Sequence, residues 1–560
     1  MKGPDVTSQP PRVLFTGGTV WRGAGLLEAN ALLVDNGRIV AFDDEAERSA
    51  DANATRVDLD GGFLMASFGE GHAHPLFGGL EAVGPAVRSC TSVQQIVDEV
   101  RRYAEGHPDD EWIVGASYDG SLATDGLFDA HWLDEAVSDR PVVLRGWDYH
   151  TVWCNSRALE LAGIDRDTPE PPLGEIPRRD DGSPLGTLRE WGAVDLVTAV
   201  APTYSIDVRV DAVRRATAEY ARMGVTWVQD AWVEPGEIEV YLEAARRGAL
   251  STRVNLALLA DPRSFPESLP AMVEARERVR ELGSPLLTAD TVKFFADGVI
   301  ENETGALLAP YCSGMHDHGM LLWDADHLRD SVAAVDAAGF QPFIHAIGDA
   351  AVRQSLDAIE YAADLNGPST TRPVITHAQL VDPADFERFV TLGVIANLQP
   401  LWAQLDPLMT VLTVPRLGAA RAEQQYRTRT LMDLGVSVSF GSDWPCSSAV
   451  PLEGIAIAIS RVNDEGLPRG GWVPEEIIDI ERALAAYSQG TANQAHADRS
   501  PSGPWGRLEA GASADLVVLA SDPRSTPPNE LPAIEVRATY LAGSPVWSAR
   551  TGAEVSAPAS

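Results

Sequence analysis

Apolar runs of strand length recur through most of the chain, separated by longer segments with helical spacing. The runs are Phe63-Leu64-Met65, Gly224-Val225-Thr226-Trp227-Val228-Gln229, Arg253-Val254-Asn255-Leu256-Ala257-Leu258, Thr291-Val292-Lys293-Phe294-Phe295, Pro342-Phe343-Ile344, Pro373-Val374-Ile375-Thr376, Val394-Ile395-Ala396-Asn397-Leu398 and Val436-Ser437-Val438-Ser439-Phe440. Most are joined by stretches such as 326–338 and 350–365, where apolar residues return every three or four positions. Eight strands alternating with helices predict an α/β fold, a (β/α)8 TIM barrel. The gap between the first two runs is too long for one crossover. About residues 76–215 therefore read as a large insertion with strands of its own, Trp112-Ile113-Val114-Gly115 and Pro141-Val142-Val143-Leu144-Arg145.

The two chain ends have a different texture. Val13 to Val20 and Ala31 to Val40 are strand-like, and Asp35-Asn36-Gly37 between apolar runs signals a hairpin. Gly506 to Leu519 reads as a turn and a strand, followed by Ala538 to Gly543. The ends are expected to complete one small composite β-sandwich. The predicted organisation is residues 1–65 for its N-terminal part, 66–500 for the barrel with its insertion, and 501–560 for its C-terminal part and a tail.

Composition narrows the function. The 560 residues are 45% hydrophobic, enough for a large core, and carry 81 acidic against 44 basic residues, a net charge of −37. That excess argues against a nucleic acid or an anionic membrane as partner. Cys90, Cys154, Cys312 and Cys446 are widely spaced, so no disulfide framework is expected. Met1 to Arg12 has no apolar signal core, and no run of about 18 apolar residues offers a membrane span. A cytoplasmic protein acting on a small molecule is expected; assembly as a homodimer is left open.

Only two of the 44 basic residues are lysines, Lys2 and Lys293; the rest are arginine. Lys293 lies between Val292 and Phe294-Phe295, where a charged amine is costly to bury. Arginine is never deprotonated in a protein, whereas a buried lysine readily becomes neutral. A neutral amine can take up carbon dioxide as a carbamate, an anion able to bridge two metal ions. The plainer alternative is a lysine that snorkels or pairs with Asp297.

Other metal-ligating residues fall at equivalent places. His72 and His74 are two apart, so on an extended segment both rings point the same way. His345, His377 and Asp443 follow the fifth, sixth and eighth runs. Barrel active sites lie at the C-terminal ends of the strands, where all of these gather. Four imidazoles, one carboxylate and a carbamate suit one or two Zn²⁺ or similar divalent ions. His316 and His318 form a second, less telling pair in a Gly-rich loop. His150, in Trp147-Asp148-Tyr149-His150, either faces the site as a substrate ligand or packs in the core of the insertion. Tyr118, Trp147, Trp402 and Trp444 lie near the predicted mouth and point to an apolar or aromatic substrate, or else simply pack.

These residues resemble the amidohydrolase superfamily, in particular the YtcJ-like, amidohydrolase-3 branch that includes N-substituted formamide deformylase. The resemblance spans nearly the whole chain. It is carried by Gly71-His72-Ala73-His74, Gly146-Trp147-Asp148-Tyr149-His150 with Asn155-Ser156-Arg157-Ala158-Leu159, Val292-Lys293-Phe294-Phe295-Ala296-Asp297-Gly298, His345, His377, Gly441-Ser442-Asp443-Trp444-Pro445, and Gly511 with Ala514-Asp515-Leu516. It implies that His72, His74 and Asp443 bind one ion and His345 and His377 the other, with carboxylated Lys293 as the bridge and Asp443 as general base. The family motif at the first strand usually reads Pro-Gly-Phe-Ile-Asp-x-His-x-His. Here Glu70 replaces its Asp, and the Pro-Gly is absent.

The implied reaction is hydrolysis of a non-peptide C–N bond, in a small amide or N-substituted formamide, by metal-activated water. Asp443 would move the proton, and His377 or His150 would steady the developing oxyanion. Two rivals are a lyase, decarboxylase or isomerase on the same metal site, and a non-catalytic regulatory protein that keeps the fold.

Overall fold

The computed structural model describes residues 12–313, 317–500 and 503–549. Its centre is an eight-stranded parallel sheet in sequential order. The strands are β1 (Phe68–Ala73), β2 (Val225–Val233), β3 (Arg253–Leu259), β4 (Leu287–Phe295), β5 (Gln341–Ala346), β6 (Val374–His377), β7 (Ile395–Leu398) and β8 (Val438–Phe440). The sheet curls until β8 meets β1. The Asp443 N–H donates to the His72 carbonyl at 2.7 Å, and the His74 N–H to the Trp444 carbonyl at 2.7 Å. The seam of the barrel thus runs through the segments that carry three of the expected ligands.

The helices lie where the periodicity puts them. Ala325–Ala337 starts at Asp324, whose carboxylate accepts the N–H groups of Asp326 and His327. Asp349–Asn366 follows β5. Such caps satisfy N–H groups that have no partner inside the helix.

The first barrel strand differs from the expected one. Phe63–Ala66 belongs to a five-stranded sheet with Thr19–Val20, Leu516–Leu519, Val536–Leu541 and Ser544–Ser548, and pairs antiparallel with Leu516–Leu519. Its apolar run has another cause. Phe63 and Met65 pack into the barrel core, while Leu64 and Ala66 pack into the core of the terminal domain. A strand covered on both faces loses its polar alternation, and each large side chain so buried contributes roughly 1.5–3 kcal/mol. The true first strand, Phe-Gly-Glu-Gly-His-Ala, lacks an apolar pattern because its glycines admit close neighbours. A Cβ on Gly69 would lie 2.4 Å from Thr491 Oγ1, and one on Gly71 2.7 Å from the Phe440 carbonyl.

A second four-stranded sheet, Arg38–Phe42, Leu32–Asp35, Val13–Thr16 and Thr55–Asp58, faces the five-stranded one across Phe15, Val34, Ile39, Leu516 and Val518. Asn36 and Gly37 both have positive φ, as a type I′ hairpin turn requires. Between β1 and β2 a further sheet joins Ile113–Tyr118, Val142–Gly146, Thr151–Cys154 and Thr187–Arg189, the last two absent from the sequence expectation. The four cysteines are unpaired. Among the described residues no helix is long and apolar enough to cross a membrane.

Candidate metal centre

Five buried side chains converge inside the C-terminal end of the barrel: His72 from β1, His74 just after it, His345 from β5, His377 from β6, and Asp443 after β8. Asp443 Oδ1 lies 2.9 Å from His74 Nε2 and 3.4 Å from His72 Nε2. It nevertheless accepts no well-directed hydrogen bond. Ligand atoms of His72, His377 and Asp443 all lie within 4.8 Å of one another. Ligands about 2.1 Å from a tetrahedral ion are themselves about 3.4 Å apart, so this spacing fits a divalent ion. The His345 and His377 rings stand 4.6 Å apart between centroids, and the His72 and His377 rings 4.7 Å.

The hydrogen bonds behind the rings set which nitrogen faces inward. The Thr376 hydroxyl donates to Asn397 Oδ1 at 2.9 Å, so it accepts from His72 Nδ1 at 2.6 Å and leaves Nε2 bare. Gln399 donates its amide to Asn397 Oδ1 at 3.0 Å, so its Oε1 accepts from His377 Nδ1 at 2.8 Å. His345 points Nε2 at the Gly298 carbonyl, 3.1 Å away, which leaves Nδ1 for an ion. Such partners fix the tautomer of a ligating histidine.

Burial and the crowding of basic groups hold the imidazoles neutral, as ligands must be. His72 and His345 lie well below the usual histidine range, and His377 is pushed down to about 3. Burial pushes Asp443 up, but the His74 contact, His377 and Lys293 outweigh it and leave the carboxyl below its ordinary value.

Lys293 is fully buried, and its Nζ has no hydrogen-bond partner. It sits over the Phe295 and Phe343 rings at 4.4 and 5.3 Å. Burial lowers its amine to about 7, so a large share is neutral near neutral pH. It does not pair with Asp297. That carboxylate instead accepts the N–H groups of Ala306, Ile347 and Gly348 at 2.8–3.0 Å, tying the loop after β4 to the loop after β5.

Glu70 clasps the barrel seam. Its carboxylate accepts the Ser442 N–H at 2.7 Å, the Ser442 hydroxyl at 2.8 Å and the His72 N–H at 3.3 Å. The residue that replaces the family's usual aspartate thus holds the backbone of one expected ligand and the residue before Asp443.

Above this floor opens a cavity of about 1000 Å³, into which His150, His345, His377 and Asp443 project. Trp147 and Trp402 form part of its wall, and Trp402 stacks on His377 at 5.4 Å. Trp147 to His150 form the tip between two strands of the insertion sheet. The turn is fastened by Asp148, which accepts the His150 and Thr151 N–H groups at 3.0 Å. His150 Nδ1 lies 2.8 Å from Glu190 Oε2, and the Glu190 charge raises the imidazole above its ordinary value despite burial.

Two expected wall residues lie elsewhere. Tyr118 is packed in the core of the insertion against Phe128 and Trp153. Trp444 stands behind the barrel wall against Tyr220 and the face of Gly78; the backbone turns at Asp443, whose φ is 58°, and Asp443 alone of the two faces the cavity. His316 lies outside the described residues, and His318 bonds the Leu307 carbonyl at 2.9 Å. Sequence reasoning missed Glu190, Asn397 and Gln399. Glu190 is one acid among 81 and belongs to no motif. Asn397 and Gln399 did leave a signal, two amides at alternate positions ending a strand that supplies no ligand.

The amidohydrolase family model matches residues 55–547. Among curated relatives, the N-substituted formamide deformylase of Arthrobacter pascens is 28% identical, over 92% of this chain and 94% of that one. Protein LONG AFTER FAR-RED 3 of Arabidopsis thaliana is 27% identical, over 96% of this chain and 91% of its own length. A crystal structure of an uncharacterized metal-dependent hydrolase from Pyrococcus horikoshii superposes with a TM-score of 0.72 at 22% identity, covering 93% of this chain and 99% of that one, a likeness of fold. With a family match over most of its length, and a barrel whose strand ends bring together the histidines and the aspartate, the chain belongs to the amidohydrolase family.

Proposed function

We propose that this protein is a divalent-metal-dependent hydrolase of a non-peptide C–N bond, with a small amide or N-substituted formamide as substrate. The observation that carries the reading is the set His72, His74, His345, His377 and Asp443, together with Lys293, whose buried amine has no hydrogen-bond partner and is lowered to about 7, at and beneath the floor of a cavity wide enough for a small organic molecule. Neutral imidazoles and hard oxygens suit Zn²⁺. In this reading Lys293 would add carbon dioxide, forming an N–C bond and releasing a proton, and its carbamate would serve as a shared anionic ligand. His72, His74 and Asp443 would hold one ion and His345 and His377 a second. A bound divalent ion supplies Lewis-acid polarisation of a carbonyl and a more acidic water.

The protein's own groups do the rest. Asp443 Oδ1, free of directed hydrogen bonds, accepts the proton of the attacking water and returns it to the departing amine. His150 faces the substrate carbonyl oxygen across the cavity. Trp147 and Trp402 cover an apolar or aromatic substituent on nitrogen. The named formamide deformylase supports the substrate class, and the site supports the reaction type.

The test is amine release from a panel of N-alkyl and N-aryl formamides, acyl amines, cyclic amides and carbamates by zinc-reconstituted protein. Amine release that a chelator abolishes and zinc restores is the expected result. Protein that retains no zinc and releases no amine from any member overturns the reading.

A further inference from the structure

Glu190 belongs to no expected constellation, yet its environment is unusual. It is fully buried and holds a left-handed backbone, φ 58°, at the start of the helix Glu190–Thr198. Non-glycine residues adopt that conformation at a cost, and such positions concentrate at functional sites. Its interactions explain where it is held. The Glu190 N–H donates to the His150 carbonyl at 2.8 Å, while Oε2 meets His150 Nδ1 at 2.8 Å. One residue thus grips His150 by backbone and by side chain.

The grip is braced from the barrel. The Thr304 hydroxyl donates to Glu190 Oε1 at 2.5 Å. A Cβ on Gly298, in the segment after β4, would lie 2.3 Å from that same oxygen, so the glycine makes room for the carboxylate. The Asn302 amide reaches Asp148 Oδ2 at 3.1 Å and Thr151 Oγ1 at 2.9 Å, on the turn that carries His150. Three segments far apart in sequence therefore converge to fix one imidazole whose other nitrogen is left for the cavity.

We propose that Glu190, braced by Thr304, is a positioning residue that orients His150 so that its Nε2 meets the substrate carbonyl oxygen. This rests on the hydrolase reading above, in which His150 is the group that touches substrate. Glu190 acts only through it. A carboxylate that sets the tautomer and angle of a working histidine contributes to the rate more than to substrate binding. A carboxylate that merely glued the insertion to the barrel would change melting temperature and leave the rate per folded molecule alone.

The test uses the full-length, zinc-loaded protein and the fastest substrate of the panel. Glu190→Gln is expected to lower kcat about 30-fold with KM within about twofold, at unchanged zinc content. The double variant Glu190→Gln/His150→Gln is expected to be no slower than His150→Gln alone, since both changes remove one function. Full kcat in Glu190→Gln, or losses that multiply in the double variant, overturn the proposal while the hydrolase reading stands. If Glu190→Gln does not fold, Thr304→Val takes its place, with a several-fold loss of kcat expected and an unchanged kcat counting against the proposal. If the wild type releases no amine at all, the hydrolase reading fails, and NMR of ¹⁵N-histidine-labelled protein decides the positioning itself. A strongly hydrogen-bonded Nδ1–H resonance, assigned by its loss in His150→Gln, is expected in the wild type and absent from Glu190→Gln. Its persistence in Glu190→Gln overturns the role.

Discussion

The floor and the wall of the cavity are built in opposite ways. The floor ligands sit on or just beyond barrel strands, where register fixes each Cα. Lys293 pairs with Phe343 across β4 and β5, and Ala346 with His377 across β5 and β6. The wall residues Trp147 and His150 sit on a turn of the insertion, held by the side chains of Asp148, Glu190 and Thr304 and by two backbone bonds, Trp147 N–H to the Tyr118 carbonyl and Glu190 N–H to the His150 carbonyl. Strand ends place the expected ligands with little room for displacement. A turn held by side chains can be reshaped without disturbing the barrel, which is where substrate choice is expected to lie.

Changes to the floor test that contrast most severely. Asp443→Asn keeps the shape but removes the proton acceptor. Turnover is expected to fall about 10³-fold, with circular dichroism and melting little changed. A variant retaining more than a tenth of the rate would show that the proton moves elsewhere. Lys293→Arg places a permanent cation where an anion is proposed. Bound metal per chain, read by atomic emission, is expected to drop by at least half, and Lys293→Ala should regain part of its metal and rate with added acetate. Undiminished metal in the arginine variant would return Lys293 to the role of a buried cation resting on aromatic rings.

Subtler effects come from behind the ligands and from the wall's interior. Thr376→Val deprives His72 Nδ1 of its acceptor. Zinc affinity, measured by chelator competition, is expected to weaken about 10-fold while the fold persists; equal affinity would detach the polar layer of Thr376, Asn397 and Gln399 from the metal centre. Tyr118→Phe should change neither kcat nor KM and should leave stability equal or higher by about 0–1 kcal/mol, because the buried hydroxyl has no partner to lose. A shift in KM would put Tyr118 back at the cavity.

Some of the expected ligands were readable because each lies at a recurrent place, the end of an apolar strand, where a local pattern maps directly onto position in a barrel. His345, His377 and Asp443 follow that rule, whereas His72-Ala73-His74 was legible only as a pair of histidines two residues apart. The first strand was not readable, since close packing at Gly69 and Gly71 excludes the side chains that announce a strand. Phe63–Ala66 mimicked it by being buried between two domains. Tyr118 and Trp444 show the matching limit. An aromatic residue near a site in sequence goes wherever its backbone turns it, one into the core of the insertion and the other behind the barrel wall.

What the amino-acid sequence determined by itself is the alternation of strands and helices, the (β/α)8 arrangement that follows, and the chemical kinds gathered at the strand ends, including one interior lysine in a chain otherwise committed to arginine. These are local properties, set by periodicity and side-chain type. The tertiary structure alone decided that the Lys293 amine stands without a hydrogen-bond partner and is lowered by burial, that Thr376 and Gln399 select the facing nitrogens of His72 and His377, and that Glu190 reaches His150. Desolvation and hydrogen-bond partnership depend on what the fold packs around a group, and those neighbours come from other segments of the chain, 22 residues away for His377 and Gln399, 40 for His150 and Glu190 and 304 for His72 and Thr376.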